Sequence, residues 1–77
     1  MGKKSRYERE LQDARYMTLV SPKNSAGYLR AGQLSIELGY QKQAFKIFYS
    51  GLKQVPETDE NYGLLIQGKT RGRKTLQ

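Results

Sequence analysis

The sequence contains no cysteine, no histidine and no tryptophan, and only two prolines in 77 residues. Lack of cysteine excludes disulfide-stapled folds and thiol chemistry; lack of histidine as well removes most zinc and haem ligand sets. There is no imidazole to serve as a general base, so carboxylates, lysines, tyrosines and hydroxyls are the only groups left for catalysis. Acidic residues are scarce too: seven Asp and Glu stand against fourteen Lys and Arg, a formal net charge of +7. No apolar run approaches the roughly 20 residues that span a bilayer. The stretch from Met1 to Arg6 is charged where a secretory signal would turn apolar. The expectation is a cytoplasmic or nuclear chain with no membrane partner, no metal and no cofactor. Chains of this size seldom build a core worth more than about 3–5 kcal/mol, so one small domain is the ceiling and an enzyme is not expected.

What is present argues for a thin folded core. Hydrophobic residues make up only 36% of the chain, yet six Tyr and two Phe supply the large side chains that disordered segments lack. Charge is uneven. Residues 57–60 hold three acids, Glu57, Asp59 and Glu60, while residues 61–77 hold four bases and no acid.

The apolar pattern is helical throughout, and no alternating run bounded by hairpin residues indicates a strand. Tyr7, Leu11, Ala14 and then Met17 or Thr18 recur at helical spacing from Arg6 to Val20, ending at Ser21-Pro22 because the residue before proline is driven out of the helical region. Asn24 or Ser25 can cap a second helix from about Ala26 to Leu38, burying Tyr28, Ala31, Gly32, Ser35 and Leu38, with Gly39 just past its end. A third runs from about Gln41 to Val55, with Ala44, Ile47, Phe48, Gly51, Leu52 and Val55 inward, and Pro56 stops it. Thr58 caps a fourth, with Asp59 and Glu60 in its first turn and Tyr62, Leu65 and Ile66 inward. It frays near Gly68 into a disordered basic tail, 69–77.

The two prolines, Pro22 and Pro56, are 34 residues apart, and so are Tyr28 and Tyr62. With Ala31-Gly32, Gly39, Ala44, Phe48 and Pro56 at their places in that period, residues 23–57 resemble one full tetratricopeptide repeat. Residues 1–22 resemble the second helix of a preceding repeat, and 58–68 a capping helix. The resemblance implies an all-α fold of antiparallel helical hairpins, about four helices in all, with Tyr28, Ala31, Gly32, Ala44, Phe48 and Pro56 as the residues that define the repeat. The chain departs from the pattern at Ala31 where Leu is usual, Ser35 where Tyr is usual, and Gly51 where Ala is favoured; each departure is expected to cost packing or helix propensity. The stretch Asp13 to Gln67 is further similar to the repeat segment that precedes the F-box in fungal F-box and leucine-rich-repeat proteins, the substrate receptors of cullin-type ubiquitin ligases. Neither an F-box nor a leucine-rich repeat is present in the 77 residues.

Such repeats imply a protein or peptide partner held beside the Tyr28 helix, within a larger complex or a self-associating one. Helical spacing selects Leu29, Arg30, Gln33 and Glu37 as the groove-facing residues. Arg30 matches the arginine of the carboxylate-clamp subclass, but Ala26 stands where its lysine would be. Glu8, Glu10 and Asp13 read as ordinary helix-surface partners of neighbouring arginines.

Two other motifs carry different functions. Gly63 to Thr70 matches the phosphate-binding pattern G-x-x-x-x-G-K-[ST], but no strand enters it and too little chain follows for the helix that should leave it. Lys69, Arg71, Arg73 and Lys74 could instead contact nucleic-acid phosphates, the alternative to a protein-binding role, though no aromatic residue interleaves them to stack on bases. Arrays of this kind need about three repeats to stand alone, so marginal stability is expected of the isolated chain.

Overall fold

The computed structural model describes residues 3–75, and these form four helices: α1 (Lys3–Val20), α2 (Ser25–Glu37), α3 (Gln41–Gln54) and α4 (Tyr62–Thr75). The class is all-α, as the periodicity predicts. Each helix turns back on the one before it. α1 packs along α2, and α3 lies in the groove between α2 and α4.

The ends of the middle helices follow from local chemistry. The Asn24 carboxamide oxygen accepts the Ala26 N–H at 3.0 Å, capping α2. At the other end Gly39 takes φ +84°, and its N–H donates to the Ile36 carbonyl, a glycine-terminated helix end. α3 stops with Val55 in an extended conformation, as the following Pro56 demands.

Phe48 and Leu65 are the largest wholly buried side chains. With Tyr28, Ala44 and Val55 they form the main core, where α2, α3 and α4 meet. A second cluster, Leu11, Ala14, Ala31 and Leu34, joins α1 to α2. Small residues set how closely the helices approach. A Cβ on Gly32 or Gly68 would fall 2.3 or 2.5 Å from the Phe48 ring, and one on Gly51 would fall 2.8 Å from Tyr28. Gly51 therefore makes room for the Tyr28 ring instead of costing packing, which corrects the expectation from its residue type alone. Ser35, also expected to cost packing, is wholly buried and its hydroxyl donates to the Ala31 carbonyl at 2.9 Å.

The fourth helix differs from expectation at both ends. It begins at Tyr62, so Asp59 and Glu60 stand in the preceding turn and not in its first turn. The Asp59 carboxylate accepts the Asn61 N–H and the Ser25 hydroxyl, both at 2.8 Å, and the Asn61 carboxamide donates to that hydroxyl at 3.0 Å. The acid thus ties the start of α4 to the start of α2. At the far end the helix continues through Gly68 to Thr75, so residues 69–75 are helical and not the expected disordered tail; 76–77 lie outside the described residues. Gly68 is not where the helix gives out but where it touches Phe48. Among the inward residues, Leu65 is buried while Ile66 is largely exposed.

Candidate functional site

The exposed side of α2 is where the sequence places a groove. Arg30, Gln33 and Glu37 are spaced three and four residues apart, which puts them on one stripe of the helix. They line a depression of about 390 Å³ together with Tyr7 from α1, Leu34 and Ile36 from α2, and Arg71 from α4. Leu29 does not line it. That side chain is half-buried and packs against the Phe48 cluster. Tyr7 and Arg71 escape a reading confined to one helix, because only the packing of α1 and α4 beside α2 brings them there.

Arg30 is held in place. Its guanidinium donates to the Glu10 carboxylate across the α1–α2 interface at 3.2 Å, and Arg6 approaches the other carboxylate oxygen at 3.7 Å. Glu10 is therefore more than the helix-surface partner expected of it, since it joins one arginine on its own helix to another on the next. Glu8 reaches still further along the chain and accepts a hydrogen bond from the Tyr40 hydroxyl, beyond the end of α2. That bond, then partial burial and the nearby negative charge, raises the Tyr40 phenol above its ordinary value. Burial alone raises that of Tyr28, whose hydroxyl donates to the Pro22 carbonyl at 2.7 Å. Ala26, where a carboxylate clamp would have lysine, is exposed.

The remaining motifs are placed by α4. Gly63 to Thr70 lies wholly inside that helix, so it does not form the loop between a strand and a helix that the phosphate-binding pattern requires. Lys69 extends over the Tyr49 ring, 5.3 Å from its centre, and Lys53 lies 4.7 Å from the same centre. Tyr49 in turn stacks against Phe45 with ring centres 6.2 Å apart. An aromatic residue thus does stand among the basic ones, supplied by α3 where the tail's own sequence offers none. Among the described residues no three Asp or Glu gather as a metal site would require, and no helix is long and apolar enough to cross a membrane.

With this geometry in view, one similarity to a known protein stands out. The chain is 34% identical over 62 residues to Protein DIA2 of Eremothecium gossypii. That match covers 80% of this chain but 9% of the other protein, so the chain corresponds to about a tenth of its relative's length. No family model and no solved structure matches.

Proposed function

We propose that the chain is a non-enzymatic interaction module of the tetratricopeptide type, which holds a peptide or a partner helix against the exposed side of α2. The observation that carries this reading is the groove itself: Arg30, Gln33 and Glu37 stand exposed on one stripe, and Glu10 orients the Arg30 guanidinium before any partner arrives. A pre-oriented arginine binds with less loss of side-chain freedom. Glu37 supplies an acceptor on the same stripe. Two further observations support the repeat. The helices fold as successive hairpins, and Ser25 and Asp59, 34 residues apart, meet by hydrogen bond where successive units would join.

The finer reading is that this module belongs with the fungal ubiquitin-ligase substrate receptors, whose repeat segment it resembles. The similarity to a segment of Protein DIA2 supports it. In that setting the module would recruit a protein partner in the cytoplasm or nucleus and the chemistry would be done elsewhere.

Selection of peptides from a phage-displayed library on the full chain tests the reading. Enriched peptides should lose about tenfold or more in affinity against Arg30→Glu/Gln33→Ala, about 1.4 kcal/mol or more. Enrichment that is indifferent to that pair of changes would remove the α2 groove as the site. Nucleotide titrations, with Lys69→Ala as control, should detect no binding.

A further inference from the structure

A second cavity, of about 580 Å³, does not coincide with the α2 groove. It opens between α1 and α3, with Tyr28 and Ala31 of α2 at its base and Ile47 of α3 beside them. Around the helix axis of α2, Tyr28 and Ala31 point about 150° away from the stripe of Arg30, Gln33 and Glu37, so the two grooves lie on opposite sides of the helix. The channel exists because α1 and α3 both pack on α2 and not along each other.

Its charge has one sign. Arg15 of α1 and Lys42 and Lys46 of α3 line it, and no Asp or Glu does. None of these three cations forms an ion pair among the described residues. Lys42 and Lys46 are four residues apart on α3, an arrangement that costs a helix a few tenths of a kcal/mol unless an anion relieves it. Leu19, 79% exposed, extends the apolar surface along the α1 wall. An apolar base flanked by unneutralised cations is complementary to a ligand with an apolar stripe and acidic flanks.

We propose that this channel binds an acidic amphipathic helix of a partner protein. Apolar side chains of that helix cover Leu19 and Ile47, above the floor that the buried Tyr28 and Ala31 form. Carboxylates one turn apart meet Lys42 and Lys46, and Arg15 closes on the opposite flank. A second copy of this chain is the weaker fit. Two copies each carrying +7 repel. Of the chain's own seven acids, Glu8, Glu10 and Asp59 are already engaged, Glu57 and Glu60 lie in a turn, and Asp13 and Glu37 stand on different helices, so the four not engaged offer no pair one turn apart on a helix.

The test uses the full chain and a fluorescein-labelled peptide about four helical turns long, with Leu and Phe on one face and Glu pairs four residues apart on its flanks. Anisotropy titrations should show binding that weakens as salt rises. Lys42→Glu/Lys46→Glu should lose about tenfold or more, as should replacement of the peptide's Glu by Gln, while Arg30→Ala stays within about twofold. Amide cross-peaks of Ala31 and Ile47 should move and those of Gln33 and Glu37 should not. Both lysines are exposed, and a circular dichroism melt of the double variant checks that it folds. Absence of binding, equal binding by the Gln peptide or by the charge-reversed variant, or shifts confined to Gln33 and Glu37 would each overturn the proposal. So would concentration-dependent self-association of the chain that the lysine reversal abolishes, because the occupant would then be a second copy. Loss of peptide binding to the α2 groove leaves this result untouched, so the two sites fail separately.

Discussion

The Phe48 ring occupies the space that a side chain on Gly68 would need: a Cβ there would lie 2.5 Å from two of the ring carbons. Gly32 stands against the same ring from α2, where an added Cβ would fall 2.3 Å from it. One phenyl group from α3 is thus clamped between glycines of the two helices that α3 packs against, and the angle of the whole three-helix core depends on it.

Gly68→Ala should therefore destabilise the fold, although alanine is the better helix former by about 1 kcal/mol. The clash with a wholly buried ring outweighs that gain, for a net loss of about 1–3 kcal/mol by urea denaturation followed by circular dichroism. Phe48→Leu in the same chain should recover part of the loss, so the double change costs less than the two singles together.

Asp59 is the acid whose removal should matter most for folding. Its carboxylate accepts from both the Ser25 hydroxyl and the Asn61 N–H, and Ser25 is buried. Asp59→Ala leaves both donors short of an acceptor and should cost about 1–3 kcal/mol in the same denaturation experiment. Glu57→Ala and Glu60→Ala, at exposed positions of the same turn, should each stay within about 0.5 kcal/mol of the parent chain.

The helices and most of their inward faces are legible in the sequence because their signals are local: Asn24 for a cap, Gly39 for an end, and Ala44 with Phe48 for an apolar stripe. What is not legible depends on residues far apart along the chain. Gly51 and Gly68 read as weak points of their helices until Tyr28 and Phe48 are seen against them. The basic tail shows no aromatic neighbour until α3 brings Tyr49 beneath Lys69. Arg30, Gln33 and Glu37 could be selected by spacing on a single helix. Arg15 could not be grouped with Lys42 and Lys46, because only the packing of α1 and α3 on α2 makes one channel of them.

Two of the six tyrosines should ionise late. The Tyr40 phenol is raised by its hydrogen bond to Glu8 and the Tyr28 phenol by burial, from an ordinary value of about 10. A raised value means the folded chain holds the proton more tightly than the unfolded one. The associated stability is complete below a pH of about 10 and is lost as pH climbs through the folded-state values. Phenolate absorbance during an alkaline titration should resolve two late components, and Tyr40→Phe should delete one while leaving the Tyr28 component in place.

Gly39 and Gly63 separate backbone conformation from packing, since a Cβ at either would meet nothing within 4 Å. Gly39 has φ +84°, which an L side chain adopts only with strain, whereas Gly63 lies in the first turn of α4 without positive φ. Gly39→Ala should then destabilise by about 1–2 kcal/mol with no clash to explain it. Gly63→Ala should stabilise by up to about 1 kcal/mol, because alanine leaves the unfolded chain less freedom to lose. Opposite shifts in the urea midpoint with an unchanged slope would assign both effects to the backbone. A loss at Gly63 would instead mean that the start of α4 needs a conformation alanine resists.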